Sequence, residues 1–497
     1  MANVALLVWP LIAIAIFVAR GPVHGLIWAV LIGHLTLPEA LLIDLPALPP
    51  YNKGVAVSLG CILGVLVTQG RERVPFIRER GPTVIMGILI GAMLFVPLLT
   101  TLTNRERLFY GPTTLPAMGM GETIAMIWQT GVFITLFLVA RRYLFTEAAH
   151  RALLRAIVLS GMVYSVLILF ELRMSPQLHT WVYGYFQHSW AQHLRGGFRP
   201  IVFLEHGLWV GFLLYMTVIA AFALMRPEKN SPIKLEYLLM GGWLMLVLMV
   251  SRNMGAAVLA LLFAPAMLFL PRRALVWIGM VVVIFYLSFP AVRQAGLFPV
   301  QGVVNLAAKV SEERASSLNY RFENEADYLA RAKLKPIAGW GLWARWRIWD
   351  ENGNETSTAD GTWIIYLGER GWIGYLAFFG LLGMPIFYLI KTSRQRNQPL
   401  SPATVGMTMI IAGNLIYLIP NNALSPISVL VAGGLAGYVQ KRLAADTEQD
   451  EENVEDGVLI RKDRKIKYSR FPVKVSADTS PGPGGGTATA QAYRRTF

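Results

Sequence analysis

The chain has 497 residues, of which 55% are hydrophobic and only 15% charged, against about 25% charged in an ordinary soluble domain. That balance excludes a soluble enzyme and points to an integral membrane protein. The net charge of +15 belongs to loops beside the membrane rather than to a nucleic-acid-binding domain, since no soluble basic region is present to form one. A single cysteine, Cys61, lies inside an apolar run, which excludes disulfides, cysteine–zinc sites and redox pairs.

Apolar runs of roughly 17–25 residues are long enough to cross a bilayer. In chain order the candidates are Ala2–Val18, Val23–Ile43, Val55–Gln69, Thr83–Leu102, Thr123–Ala140, Leu153–Leu172 and Ile201–Met225. Leu235–Val250, Met254–Leu270, Ala274–Val292, Trp372–Ile390, Thr404–Ile419 and Pro426–Val439 follow. The first carries no basic n-region and no clear cleavage site, so it reads as a retained span rather than a signal peptide. The expected fold class is an all-α polytopic bundle of about 12–13 spans. Its divisions are a first bundle (1–292), a large helical loop (293–371), C-terminal helices (372–440) and a tail (441–497).

Every second short loop is basic. Examples are Arg71–Arg80, Arg141–Arg155 and Arg226–Lys234, then Arg272 with Arg273, and Lys391–Arg396. The positive-inside rule places those loops in the cytoplasm, and Asn104–Gly121, Arg173–Pro200 and Arg293–Gly371 outside. The tail has an acidic patch, a basic patch and a Gly/Pro/Thr/Ala-rich end; such a composition is expected to stay disordered, here in the cytoplasm.

The outward loops are unusually rich in arginine. Arg173, Arg195 and Arg199 precede the seventh span, Arg252 opens the ninth, and Arg314, Arg321, Arg331, Arg345 and Arg347 lie in the large loop. Arginine grips phosphate oxygens in a bidentate fork and stays charged when partly desolvated, so the set suits an anionic, lipid-linked ligand. The alternative is surface or ion-paired arginines, with Arg321–Glu325 as an i,i+4 pair on a helix running Asn319–Lys335. Glu205 and His206 are expected one to two turns inside a span, where ionisable residues face a cavity or a partner. Ser251-Arg252-Asn253 is a polar break that also reads as a tight turn.

Beyond Pro336, Trp340, Trp343, Trp346 and Trp349 recur every third residue. If helical, they form one stripe: an interfacial aromatic belt or a platform for sugar rings. Asp360 then stands beside Gly361 ahead of a re-entering helix, placed either as a general base or as an N-cap. Glu369 follows.

These residues resemble the O-antigen ligase and polymerase superfamily of polytopic bacterial glycosyltransferases. The likeness runs through Arg199 in GGFRPIVFLEHG, Ser251-Arg252, Tyr320-Arg321, Lys335-Pro336 and Gly339-Trp340-Gly341. It ends at Asp360-Gly361, nine residues, then Gly371-Trp372-Ile373-Gly374. Family ligases carry His where this chain has Asp360. The resemblance implies an inner-membrane polysaccharide polymerase with a periplasmic site and no cofactor or metal, whose donor is an undecaprenyl-diphosphate-linked oligosaccharide passed to a glycan acceptor. Asp360, Arg199 and Arg321 would be catalytic. Arg252, His206, Glu205, Arg314, Tyr320, Glu369, Trp340 and Trp343 would bind substrate. A flippase and a chain-length regulator are the protein partners such a role would call on. The alternatives are a ligase transferring polymer to lipid A core and, outside enzymes, a lipid-linked glycan transporter.

Overall fold

The computed structural model describes residues 1–444 except 45–48, 69–79, 190–196, 228–231, 310 and 394–398. The described chain is mostly helical. Its elements are α1 (Ala2–Thr36), α2 (Lys53–Thr68), α3 (Arg80–Leu102), the strands β1 (Leu108–Tyr110) and β2 (Thr113–Leu115), α4 (Met120–Tyr143), α5 (Glu147–Met174) and α6 (Leu178–Tyr183). There follow α7 (Gly207–Met225), α8 (Leu235–Val250), α9 (Met254–Phe269), α10 (Arg272–Gln294), α11 (Val300–Ala308), α12 (Glu312–Leu334), α13 (Thr362–Ser393), α14 (Pro402–Tyr417) and α15 (426–444). The strands pair antiparallel, Leu108 opposite Leu115.

Seven of these helices, α1, α3, α4, α5, α7, α10 and α13, are long and apolar enough to cross a membrane. The apolar helices α2, α8, α9 and α14 have 16 residues each, about 24 Å at 1.5 Å per residue, against a hydrocarbon core of about 30 Å. Large apolar side chains such as Leu7, Leu11, Leu262 and Phe269 are exposed on the outer helices, as a lipid-facing surface requires. The chain has a multi-pass membrane architecture.

The first two expected runs are the two halves of α1, which reverses at Gly21 (φ 73°) just before Pro22. Glycine alone takes that conformation without strain. The halves fold back on each other, with Gly25 against Phe17 and Gly33 against Trp9, and α2 lays Gly60 and Gly64 on Ala13 and Phe17. Small residues at these crossings let the backbones approach closely, the usual glue between membrane helices.

The centre of the bundle is α7, buried at nearly every position and in contact with α5, α8, α9 and α14. A helix apolar all round belongs in the interior. The run expected to start at Ile201 becomes helical only at Gly207; Glu205 and His206 precede the helix rather than sitting inside it. His206 is its N-cap, its Nδ1 accepting from Leu208 N at 3.1 Å. We expect His206→Ala to lower stability by about 0.5–2 kcal/mol, read as a drop in the thermal midpoint of the detergent-solubilised protein.

Between α10 and α13 lies a polar segment, 295–361, built on α11 and α12. It is fastened to the bundle by backbone. Trp340 N and Gly341 N donate to the carbonyls of Gly368 and Glu369, while Trp372 N donates to Pro336 O. This stitching requires the kink in α13 at Gly371 (φ 62°), where a Cβ would lie 2.4 Å from Ile337 O. On the other side Thr100 Oγ1 donates to Ala338 O and Asn104 Nδ2 to Gly339 O. Gly339 of the expected G-W-G motif and Gly371 of the G-x-x-G motif thus serve first as close-approach points between this segment and α13, while Gly341 packs on Met118 and Thr100 and Gly374 on Arg370 and Val96.

Candidate functional site

The segment leading into α7 and the turn between α8 and α9 bring two of the predicted arginines together. Arg199 Nη2 donates to Asn253 Oδ1 at 2.6 Å. A Cβ on Gly197 would lie 2.6 Å from Nη1 and Nη2 of Arg252, so the chain just before Arg199 lies directly over the second guanidinium. Arg252 itself is held at φ 62°, a left-handed conformation that costs a bulky residue about 1–3 kcal/mol. The expected tight turn is present, and it also carries this strained arginine beside Arg199.

Arg321, on α12, completes the group. Burial holds the Arg199 guanidinium below the usual arginine range; the nearby Tyr417 hydroxyl opposes that shift and the positive charge of Arg321 adds to it. The buried Nε of Arg199 has no hydrogen-bond partner among the described residues. Unpaired buried donors on a cation are costly, and an anion placed among these arginines would satisfy them.

Arg321 Nε lies 3.2 Å from Asp360 Oδ2, with both side chains about 40% exposed (38% and 41%). An ion pair this open contributes about 0–1 kcal/mol, so either partner can exchange it for a ligand at little cost. Asp360 does not end up capping α13. That helix start is held instead by Thr362, whose N donates to Leu418 O and Asn421 O and whose Oγ1 donates to Asn421 O at 2.9 Å.

Asp360 and Arg321 open on a cavity of about 180 Å³ walled by Phe289, Phe298, Phe322 and Pro420. A second carboxyl, Glu325, lines the same cavity. The expected Arg321–Glu325 helix pair is not formed: Arg321 turns to Asp360, and Glu325 pairs with Arg293 at 3.3 Å. Burial pushes the Glu325 carboxyl up to about 7, against the opposing pull of Arg293, Trp363 and Arg321. A carboxyl raised in the folded state adds stability below its unfolded value of about 4.5, and that stability is lost as pH rises through about 7. The thermal midpoint should therefore fall over that window, and Glu325→Gln should flatten the fall. Equal slopes in wild type and variant, measured by melting between pH 4.5 and 8, would remove the linkage.

The other predicted residues lie elsewhere. Glu205 opens on a separate cavity with Glu39 and Lys53. The His206 ring lies 4.7 Å from that of His188, besides its capping role. Tyr320 is exposed on α12 and does not line the Asp360 cavity. Arg314 lies in the first turn of α12, and its side chain falls outside the described residues, as does Arg195. Glu369 stands beside Trp346 in the fields of Arg370 and Arg347.

The tryptophans form no stripe, because 340–349 is a succession of turns rather than a helix. Trp340 is buried beneath Arg331, whose guanidinium carbon lies 3.7 Å from the ring centre. Trp346 is buried as well, while Trp343 is exposed and donates to Glu122 Oε1. Three further loop arginines are engaged in holding the segment together. Arg345, fully buried, donates to Glu106 O and Pro116 O; Arg331 donates to Arg345 O; and Arg347 pairs with Glu355. Of the predicted loop arginines, Arg331, Arg345 and Arg347 therefore brace the segment, while Arg199, Arg252 and Arg321 form a separate group. No protein-family model matches the chain, and no curated protein matches it at a significant level.

Proposed function

We propose that this protein is a polysaccharide polymerase of the bacterial inner membrane, with segment 295–361 on the periplasmic face and the C-terminal tail in the cytoplasm. The donor is a glycan on undecaprenyl diphosphate, and the acceptor is a second glycan. The observation that carries the reading is Arg321 paired with a carboxylate, Asp360, at a cavity, with Arg199 near enough to feel the charge of Arg321 and Arg252 in the turn beside Arg199. The resemblance to the ligase and polymerase superfamily points the same way, because the motifs it rests on include these same four residues.

In the proposed reaction the arginines bind the diphosphate, and Arg321 exchanges Asp360 for a phosphate oxygen. Asp360 takes the proton of an acceptor hydroxyl as its oxygen attacks the anomeric carbon. The bond from that carbon to the diphosphate oxygen breaks, the configuration inverts, and undecaprenyl diphosphate leaves with its charge held by guanidinium groups. Fixed cations aimed at the developing charge are the largest source of rate in such transfers.

The test is reconstitution in liposomes with undecaprenyl-diphosphate repeat units, with and without a lipid A core acceptor. A ladder of lengths without added acceptor is the expected result. A single product appearing only with the core acceptor would make the protein a ligase. Movement of the lipid across the bilayer with no new glycosidic bond would make it a transporter.

A further inference from the structure

A second cavity, of about 250 Å³, lies between α1, α2, α4 and the segment before α7, lined by His34, Glu39, Lys53, Gln129, Glu205 and Trp209 among others. Part of its polar wall is internally paired. Lys53 Nζ donates to Glu39 Oε1 at 2.7 Å and to Phe203 O at 3.0 Å, and His34 Nε2 meets Ser425 Oγ at 3.3 Å. The rest is not: the Glu205 carboxyl and the Gln129 amide, both exposed at the mouth of the cavity, have no hydrogen-bond partner among the described residues and are free to meet a ligand. Trp209 adds an aromatic wall, its ring 5.8 Å from that of His34.

The composition selects a ligand. Two carboxyl groups, Glu39 and Glu205, repel a phosphate. The Lys53 ammonium repels a simple cation, and the polar wall is wasted on a hydrocarbon chain. A neutral ring bearing several hydroxyls fits each feature, since every hydroxyl both donates and accepts. Carboxyl and amide oxygens take its protons, Lys53 and the Gln129 amide supply others, and the indole covers its C–H face. The volume is below the roughly 300–1,000 Å³ of sites for drug-sized ligands and suits one sugar ring rather than an oligosaccharide. Two segments of chain join this cavity to the arginine group. One runs from Arg199 to Glu205, and the other from Ile419 and Pro420, at the Asp360 cavity, to Leu424 and Pro426 here.

We propose that this cavity binds one neutral sugar ring of the glycan acceptor, apart from the diphosphate group; the inference rests on the glycosyltransferase reading above. The protein packed around it, with Glu39 adding and Lys53 opposing, raises the Glu205 carboxyl to about 7 even though the side chain itself is exposed at the cavity, so in either protonation state it can engage a hydroxyl.

The experiment uses the full chain in nanodiscs and two probes. Methyl glycosides of glucose, galactose, mannose and N-acetylglucosamine are followed by saturation-transfer NMR, and undecaprenyl diphosphate by equilibrium binding. At least one glycoside should bind the wild type and lose tenfold or more in Gln129→Trp, which fills the cavity. Binding of undecaprenyl diphosphate should stay within twofold in both proteins, which also checks folding; Gln129→Leu replaces Gln129→Trp if the larger variant fails that check. Glycoside binding that is absent, or untouched by the Gln129 substitution, overturns the sugar site while diphosphate binding persists. Absence of undecaprenyl diphosphate binding in the wild type overturns the broader reading instead.

Discussion

Asp360→Asn is expected to stop polymer growth, lowering the rate by about 10²–10⁴-fold, the usual worth of a general base. The amide keeps the size of the side chain and leaves an oxygen for Arg321, 3.2 Å away in the native pair, so insertion and donor binding should be unchanged. The measurement is single-turnover transfer in liposomes, with undecaprenyl diphosphate binding as the control. A rate within tenfold of wild type would take the role of base from Asp360. The other carboxyl on the same cavity, Glu325, would then be the group to replace.

Neutralising the arginines should act on binding. Arg199→Gln and Arg321→Gln are each expected to weaken undecaprenyl diphosphate binding by roughly tenfold to a hundredfold, the equivalent of about 1.5–3 kcal/mol for a charged hydrogen bond. Arg199 should show the larger effect, because its guanidinium is the more buried and holds an unpaired donor. Lysine at either position should restore only part of the loss, since an ammonium cannot form the two-pronged contact of a guanidinium. Rising salt should weaken the wild type more than the variants. Unchanged affinity in both glutamine variants would dismiss these residues as the diphosphate grip.

Much of the architecture was legible because it rests on long apolar runs, and these become helices in the structure. The boundaries that failed did so for local reasons. The Ile201 run looked continuous, yet the chain delays the helix to Gly207 and uses His206 as the cap. The tryptophan repeat suggested a helical stripe, but Gly339 and Gly341 take positive φ and turn that stretch into an irregular clamp on α13. The loop arginines stood out as a set because arginine is out of place in loops expected to face outward, and only the resemblance set Arg199, Arg252, Arg314 and Arg321 apart. That Arg331, Arg345 and Arg347 brace the segment was not legible, since it depends on which carbonyls and carboxylates lie within reach. Glu325 was missed because spacing alone offered it Arg321 as a partner. The available signal was Arg293, a cation at the end of a span with nothing nearby in sequence to neutralise it.

The backbone ladder between 336–341 and the kinked helix has a kinetic consequence. A layer tied by main-chain hydrogen bonds on one side, and by Thr100 and Asn104 on the other, is not free to swing like a hinged cover. Opening it would break several such bonds at once, a local unfolding event rather than a thermal fluctuation. Under the proposed function, a long, growing substrate would then use standing apertures, and adjustment within each cycle would fall to side-chain rotamers on the picosecond-to-nanosecond scale. The Arg321–Asp360 pair, open to solvent and weakly held, is the contact suited to that rapid exchange.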